Sequence, residues 1–145
     1  MKDFLFPILT FLAGGVSGAL WPHVQRPLTD YRETVSKISG QIIVNILLIY
    51  TNPLTTDAEK AESRKLYDSL RTLHAQLLSS SSMIPRFARP TLRLFGLLRS
   101  EEQIEKGAQM LVGILNQVTK TDKDLPHLTE CIRRLGTALD IAVSR

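Results

Sequence analysis

The chain has a single cysteine in 145 residues, Cys131, so no internal disulfide can brace it. Cys131 falls at a helical core position, which reads as a reduced, buried and inert thiol. A reducing compartment is permitted by that reading and not required. Aromatic residues make up only 6% of the chain, and Leu, Ile, Val and Ala carry most of the apolar content. The three histidines, His23, His74 and His127, stand far apart, and none has a metal-ligand spacing with Cys, Asp or Glu. There is no Gly-x-Ser-x-Gly elbow and no glycine-rich phosphate loop outside the apolar N-terminus. Acidic residues fall mainly at helix starts and on solvated faces, where dipole and solubility account for them. No carboxylate pair stands out. These absences argue against an enzyme and point to no cofactor, no metal and no small-molecule substrate. An enzyme with an unrecognised site remains an alternative.

Net charge is close to zero in most of the chain. The net charge is +4, and residues 86–99 hold Arg86, Arg89, Arg93 and Arg99 with no acidic residue. That one segment equals the whole excess. A basic isoelectric point therefore says little about nucleic acid; the question is local.

What is present, at the N-terminus, is an uncharged apolar run. Phe4 to Trp21 reads FLFPILTFLAGGVSGALW. As a helix these 18 residues rise about 27 Å, just enough for a hydrocarbon core. Pro7 lies in the first turn, Trp21 sits where an interfacial aromatic anchors a span, and Pro22 ends it. A cleaved signal peptide with Ser17-Gly18-Ala19 as its small-residue site is the competing reading. Lys2, offset at once by Asp3, makes a poor basic n-region for it. Lys2 alone precedes the run while Arg26, Arg32 and Lys37 follow, so the positive-inside rule places the C-terminal part in the cytoplasm. Gly14 and Gly18 form G-x-x-x-G, and Gly15 and Ala19 repeat the spacing. Such a face packs on another membrane helix, its own copy or a different membrane protein. A glycine-containing anchor without a partner is the plain alternative.

Beyond the anchor the pattern is helical throughout. Asp30 with Glu33 resembles a cap and opens a helix expected to end near Tyr50, with Tyr31, Val35, Ile38, Ile42, Ile46 and Ile49 on one face. From Ile42 the run is apolar nearly all round. Ile38 to Tyr50 would rise only about 20 Å, too short for a second span. No partner strand appears for a buried strand, so it reads as a core helix with Asn45 as a satisfied amide. Asn52-Pro53 breaks the chain, and Thr56 to Glu59 supplies a capping box. Leu66, Leu70, Leu73 and Leu77 form the stripe that follows, and the serine run 79–82 is expected to end that helix in a flexible link. Ser100 to Gln103 is a second capping box, opening a helix with Ile104, Ala108, Leu111, Leu115 and Val118 inward. Gly107 and Gly113 lower its propensity, which close packing against a neighbour explains. Asp124 and Pro126 start a last helix, with Leu128, Ile132, Leu135, Leu139 and Ala142 inward. The expected fold is all-α: one N-terminal transmembrane helix, then an antiparallel bundle of about four helices. The anchor with its flanks covers 1–25 and the bundle 26–145, with 79–99 as a linker.

Within that linker arginines alternate with bulky apolar residues, and Pro85 and Pro90 confine any helix to about 91–99. One reading lays it on the membrane, with Phe87, Leu94, Phe95 and Leu98 in the interface and Arg86, Arg89, Arg93 and Arg99 as candidate contacts to lipid headgroups. The other makes it a short helix closing the open end of the bundle, its guanidinium heads in water. Nucleic-acid binding is not expected, because no reading helix or stacking platform accompanies the arginines.

The layout resembles short bacterial membrane-anchored helical proteins that have no assigned function. The likeness rests on the anchor, Tyr31-Arg32 after it, Ile49-Tyr50-Thr51-Asn52-Pro53, Met83-Ile84-Pro85, Phe95-Gly96-Leu97-Leu98-Arg99-Ser100 and Leu111-Val112-Gly113-Ile114-Leu115-Asn116. It implies a bacterial cytoplasmic membrane location, and it brings no activity or site with it. The expected function is a single-pass, membrane-anchored helical module acting by protein binding, as scaffold or accessory subunit. A peripheral lipid-interacting protein that uses segment 86–99 is the alternative.

Overall fold

The computed structural model describes the backbone of residues 2–141 and, within that range, side chains from Trp21 onward. All regular structure among the described residues is helical. Helix α1, Lys2–Val44, runs for 43 residues. The stop expected at Pro22 and the fresh start expected at Asp30 are both corrected by it. The helix passes through Pro22 and Pro27, each of which deletes the backbone bond to the carbonyl four residues earlier, at Gly18 and His23. Burial offsets the loss. Val24, Leu28, Tyr31, Ile38 and Ile42 recur on one face and are all buried, and each apolar side chain so covered contributes about 1.5–3 kcal/mol. Asp30 is an interior residue whose carbonyl accepts from Thr34 Oγ1 at 2.8 Å. The boundary expected at residue 25 therefore falls inside a helix, and Val24 already belongs to the core.

No helix among the described residues is long and apolar enough to cross a membrane. The span expected over 4–21 lies outside the described side chains except at Gly18 and Trp21. Gly14, Gly15 and Ala19 lie outside them too. Gly18 is exposed, and among the described residues a methyl group added there would meet nothing within 4 Å.

Asn45 interrupts the chain for one residue before α2, Ile46–Tyr50. Its amide donates to the Gln41 carbonyl at 2.9 Å, so the half-buried group is satisfied as expected. Helix α3, Asp57–Met83, opens with the full capping box of Thr56 and Glu59. It runs through the serines instead of stopping at them. Each hydroxyl of Ser79, Ser80, Ser81 and Ser82 donates to the carbonyl three residues back, at 2.7–3.4 Å. Polar side chains satisfied by their own helix do not end it. Extended Ile84 ahead of Pro85 does. The short helix α4, Arg89–Leu94, follows. Then come α5, Glu101–Val118, with the Ser100/Gln103 capping box, and α6, Leu125–Leu139, capped by Asp124.

The four long helices run up, down, up and down. Gln41 of α1 and Asn45 just after it lie across from Glu62 to Ser69 of α3, while Asp30 and Thr34 lie across from Gln76 and Met83. The Ser63 hydroxyl, fully buried, donates to the Val118 carbonyl and ties the start of α3 to the end of α5. Gly107 and Gly113 set the spacing between α5 and α6. A Cβ on Gly107 would stand 2.7 Å from a Leu139 methyl, and one on Gly113 would stand 2.7 Å from Cys131 Sγ. The close packing expected at both glycines is present.

The end of the bundle bearing α2 is held by a residue that the sequence does not advertise. Lys123 is buried, and its ammonium donates to the carbonyls of Leu48 and Ile49 at 3.0 and 3.1 Å. It serves as the C-terminal cap of α2 from another part of the chain. Asn52 completes the tie, accepting from the Lys123 amide and donating to its carbonyl. Burial lowers the Lys123 pKa, and the Glu59 charge opposes that. Lys123→Met is expected to cost about 1–2 kcal/mol, since one buried and one half-buried carbonyl lose a charged donor. The pH dependence has a definite sign. Between the lowered folded pKa and the ordinary 10.5 this lysine binds more protons in the unfolded chain, so its own contribution to stability rises with pH across that window. The raised pKa values of Tyr31 and Cys131 act in the opposite sense at alkaline pH, so denaturant unfolding at several alkaline pH values should show the lysine as a more positive slope in the wild type than in Lys123→Met.

Candidate functional site

The arginine segment crosses one end of the bundle, joining α3 to α5. Its inward side is core: Ile84, Ala88, Leu92 and Leu98 are all buried. Leu98 therefore does not reach outward, contrary to its expected place at an interface. The helix also lies earlier than residues 91–99. Pro90 sits in its first turn, where a missing amide hydrogen is tolerated. Gly96, at φ 67°, terminates it in the left-handed conformation that glycine adopts without a Cβ penalty.

The four arginines separate into two kinds. Arg89 donates from Nε to the Ile84 carbonyl at 3.0 Å and from Nη2 to the carbonyls of Ser81 and Ser82 at 3.3 Å. It also pairs with Glu101. One guanidinium thus closes the end of α3 and holds the start of α5. Arg99 pairs with Asp140, the left-handed residue that ends α6. These two are fastening groups. Arg93 is exposed and reaches Glu101 only at 4.0 Å, and Arg86 is exposed with no ion-pair partner among the described residues. Phe87, Leu94 and Phe95 are exposed beside them at 62%, 83% and 70%.

Two hollows adjoin this end. A groove of about 510 Å³ lies between α3 and α5, with Leu78, Ile104 and Val112 along it and Arg89 and Arg93 at one end. His74 is half-buried in its wall. A more polar hollow of about 360 Å³ is lined by Tyr31, Ser36, Arg99 and Asp140. The Tyr31 hydroxyl is buried without a hydrogen-bond partner among the described residues. Burial raises its pKa, against the backbone and charge of Arg99. His74, Ser81, Ser82 and Glu101 all line the groove, but the two serine hydroxyls donate to carbonyls of their own helix and not to His74 or Glu101.

His23 and His127 are exposed and do not meet, and His127 stands in the first turn of α6. Its Nε2 lies 3.5 Å from Cys131 Sγ. Burial pushes that thiol above its ordinary pKa, so the thiolate is suppressed. Among the described residues no group of three or more His, Cys, Asp or Glu side chains is placed to hold a metal ion. The chain matches no protein-family model, no curated protein and no solved structure.

A second exposed apolar feature lies at the opposite end of the bundle. Val44 and Leu47 are 81% and 83% exposed, with Ile43 beside them at the α1–α2 junction. The reading of Ile42 to Tyr50 as wholly core missed them. Helical periodicity could have found them, because only one face of an apolar run can point inward.

Proposed function

We propose that this chain is a single-pass, membrane-anchored helical module that acts by binding a protein partner, as a scaffold or accessory subunit. Residues 4–21 of α1 serve as the span, and the bundle stands on the cytoplasmic side of a bacterial inner membrane. The observation that carries this reading is the Ile43–Val44–Leu47 ridge. It is apolar, solvent-facing and set at the end of the bundle away from where α1 enters, where a partner has free approach. Continuity of α1 supports it, since the same helix that carries the uncharged run also supplies Ile38 and Ile42 to the core. Within the span, the Gly14/Gly18 and Gly15/Ala19 faces suit close packing on a second membrane helix, of its own copy or of the partner.

A photo-crosslinking residue at Leu47, in the full chain in its native membranes, tests the proposal. One discrete adduct is expected, and Val44→Asp should abolish it. A ladder of random adducts, or one that Val44→Asp leaves intact, sinks the protein-binding reading. Extraction of the membranes with alkaline carbonate tests the anchor separately: the chain is expected to stay with the bilayer.

A further inference from the structure

We infer that the outward face of the 84–99 crossover is a docking surface for an anionic lipid bilayer, seating the bundle on the membrane that holds α1. This rests on the anchored reading of α1 and adds a second contact to it. The crossover already has a structural task, performed by its buried side. Its other side carries large apolar groups with nothing to cover them: Phe87, Leu94 and Phe95, with Met83 just before. The fold does not require their exposure in water, because polar residues would leave the core contacts of Ala88 and Leu92 unchanged.

Position selects the occupant. Tyr31 and Arg32 of α1 lie beside Gly96 and Leu97, and Val24 and Leu28 join the same core as Ala88 and Leu92. The part of α1 before Val24 thus leaves the bundle at the crossover end. From Leu28 back to Trp21 is roughly 10 Å along a helix axis. A leaflet that begins near Trp21 therefore lies within reach of the aromatic side chains of the crossover. Pro22 and Pro27 interrupt the backbone bonding of α1 in this interval, which gives the joint on which the bundle can tilt.

Charge selects the lipid. Residues 83–99 contain no carboxylate, and the cations left for a partner are Arg86 and Arg93, since Arg89 and Arg99 are spent on Glu101 and Asp140. Arginine flanked by exposed phenylalanine and leucine matches an anionic interface, where rings enter the acyl boundary and guanidinium groups meet phosphate. A protein partner on this face would have to fit into the narrow gap between bundle and leaflet.

The test uses the full chain in phosphatidylcholine vesicles, with and without phosphatidylglycerol. Phe95→Cys in a Cys131→Ala background carries an environment-sensitive fluorophore, and Lys120→Cys at the far end provides the control. With phosphatidylglycerol the label at 95 is expected to shift to the blue and to be quenched by bilayer-embedded quenchers, while the label at 120 does neither. Replacing Arg86 and Arg93 by serine should lower the docked-to-undocked ratio roughly 30-fold, and added salt should act in the same direction. In unsubstituted protein, amide exchange over 86–96 should slow only in the anionic vesicles. If the chain floats with the vesicles but the label at 95 and the amide exchange ignore lipid charge, docking is overturned and the anchor stands. If the chain does not float with either vesicle, both readings fall.

Discussion

Leu111→Ala is expected to cost about 3–5 kcal/mol and lower the unfolding midpoint by roughly 10–20 °C. Leu111 is fully buried on α5, the helix that packs against both α3 and α6. Removing its branched end leaves a cavity that three helices border, and none of them can close it without losing contacts elsewhere. The adjacent Val112 is 39% exposed and faces the groove. Val112→Ala should stay within about 0.5 kcal/mol of wild type. The contrast between neighbouring residues tests the register of α5 and the core together. Thermal unfolding by circular dichroism in detergent is sufficient. Equal losses at the two positions would falsify the packing described.

The same reasoning shows what the sequence could disclose. Both capping boxes formed as read, because Thr56 with Glu59 and Ser100 with Gln103 complete their bonds within three residues. The stripes Leu66–Leu77 and Leu128–Leu139 are buried as their spacing required. The all-α bundle was legible for that reason: its starts and faces are local properties. Helix ends are less local. Serines and prolines read as stops, yet the serine hydroxyls bond to their own helix and α1 continues past Pro22 and Pro27 with Val24, Leu28 and Tyr31 buried. Only Ile84–Pro85 and Gly96 act as breaks in the segment where several were expected.

The candidate site was legible as a segment and not as roles. Four arginines without an acid are visible in any reading of the chain. That Arg99 is fastened to Asp140 and Arg89 to Glu101 depends on partners brought together by the bundle. Lys123 is a stronger case, since its acceptors Leu48 and Ile49 lie more than 70 residues away. A lysine in a polar turn carries no local sign of burial. Long-range polar ties of this kind redistribute the apparent charge of a surface. Here they reduce four candidate lipid contacts to the pair Arg86 and Arg93.

Gly113→Ala is expected to change sign with its neighbour. In the wild type a new Cβ would stand 2.7 Å from Cys131 Sγ, well inside contact distance. The sulfur cannot swing away freely, because Cys131 is buried between α5 and α6. Overpacking of this size costs about 1–3 kcal/mol, against a gain of about 1 kcal/mol for alanine over glycine within a helix. A net loss results. In a Cys131→Ala background the nearest remaining atom, the residue 131 Cβ, stands at 3.7 Å, an ordinary contact. Gly113→Ala should then stabilise by up to about 1 kcal/mol, although Cys131→Ala is itself destabilising. The two substitutions thus couple by about 2 kcal/mol, within the range seen for directly contacting residues. Denaturant unfolding of the four proteins measures the term. Additivity would mean that α5 and α6 stand further apart than described, and that glycine at 113 answers to something other than the thiol it faces.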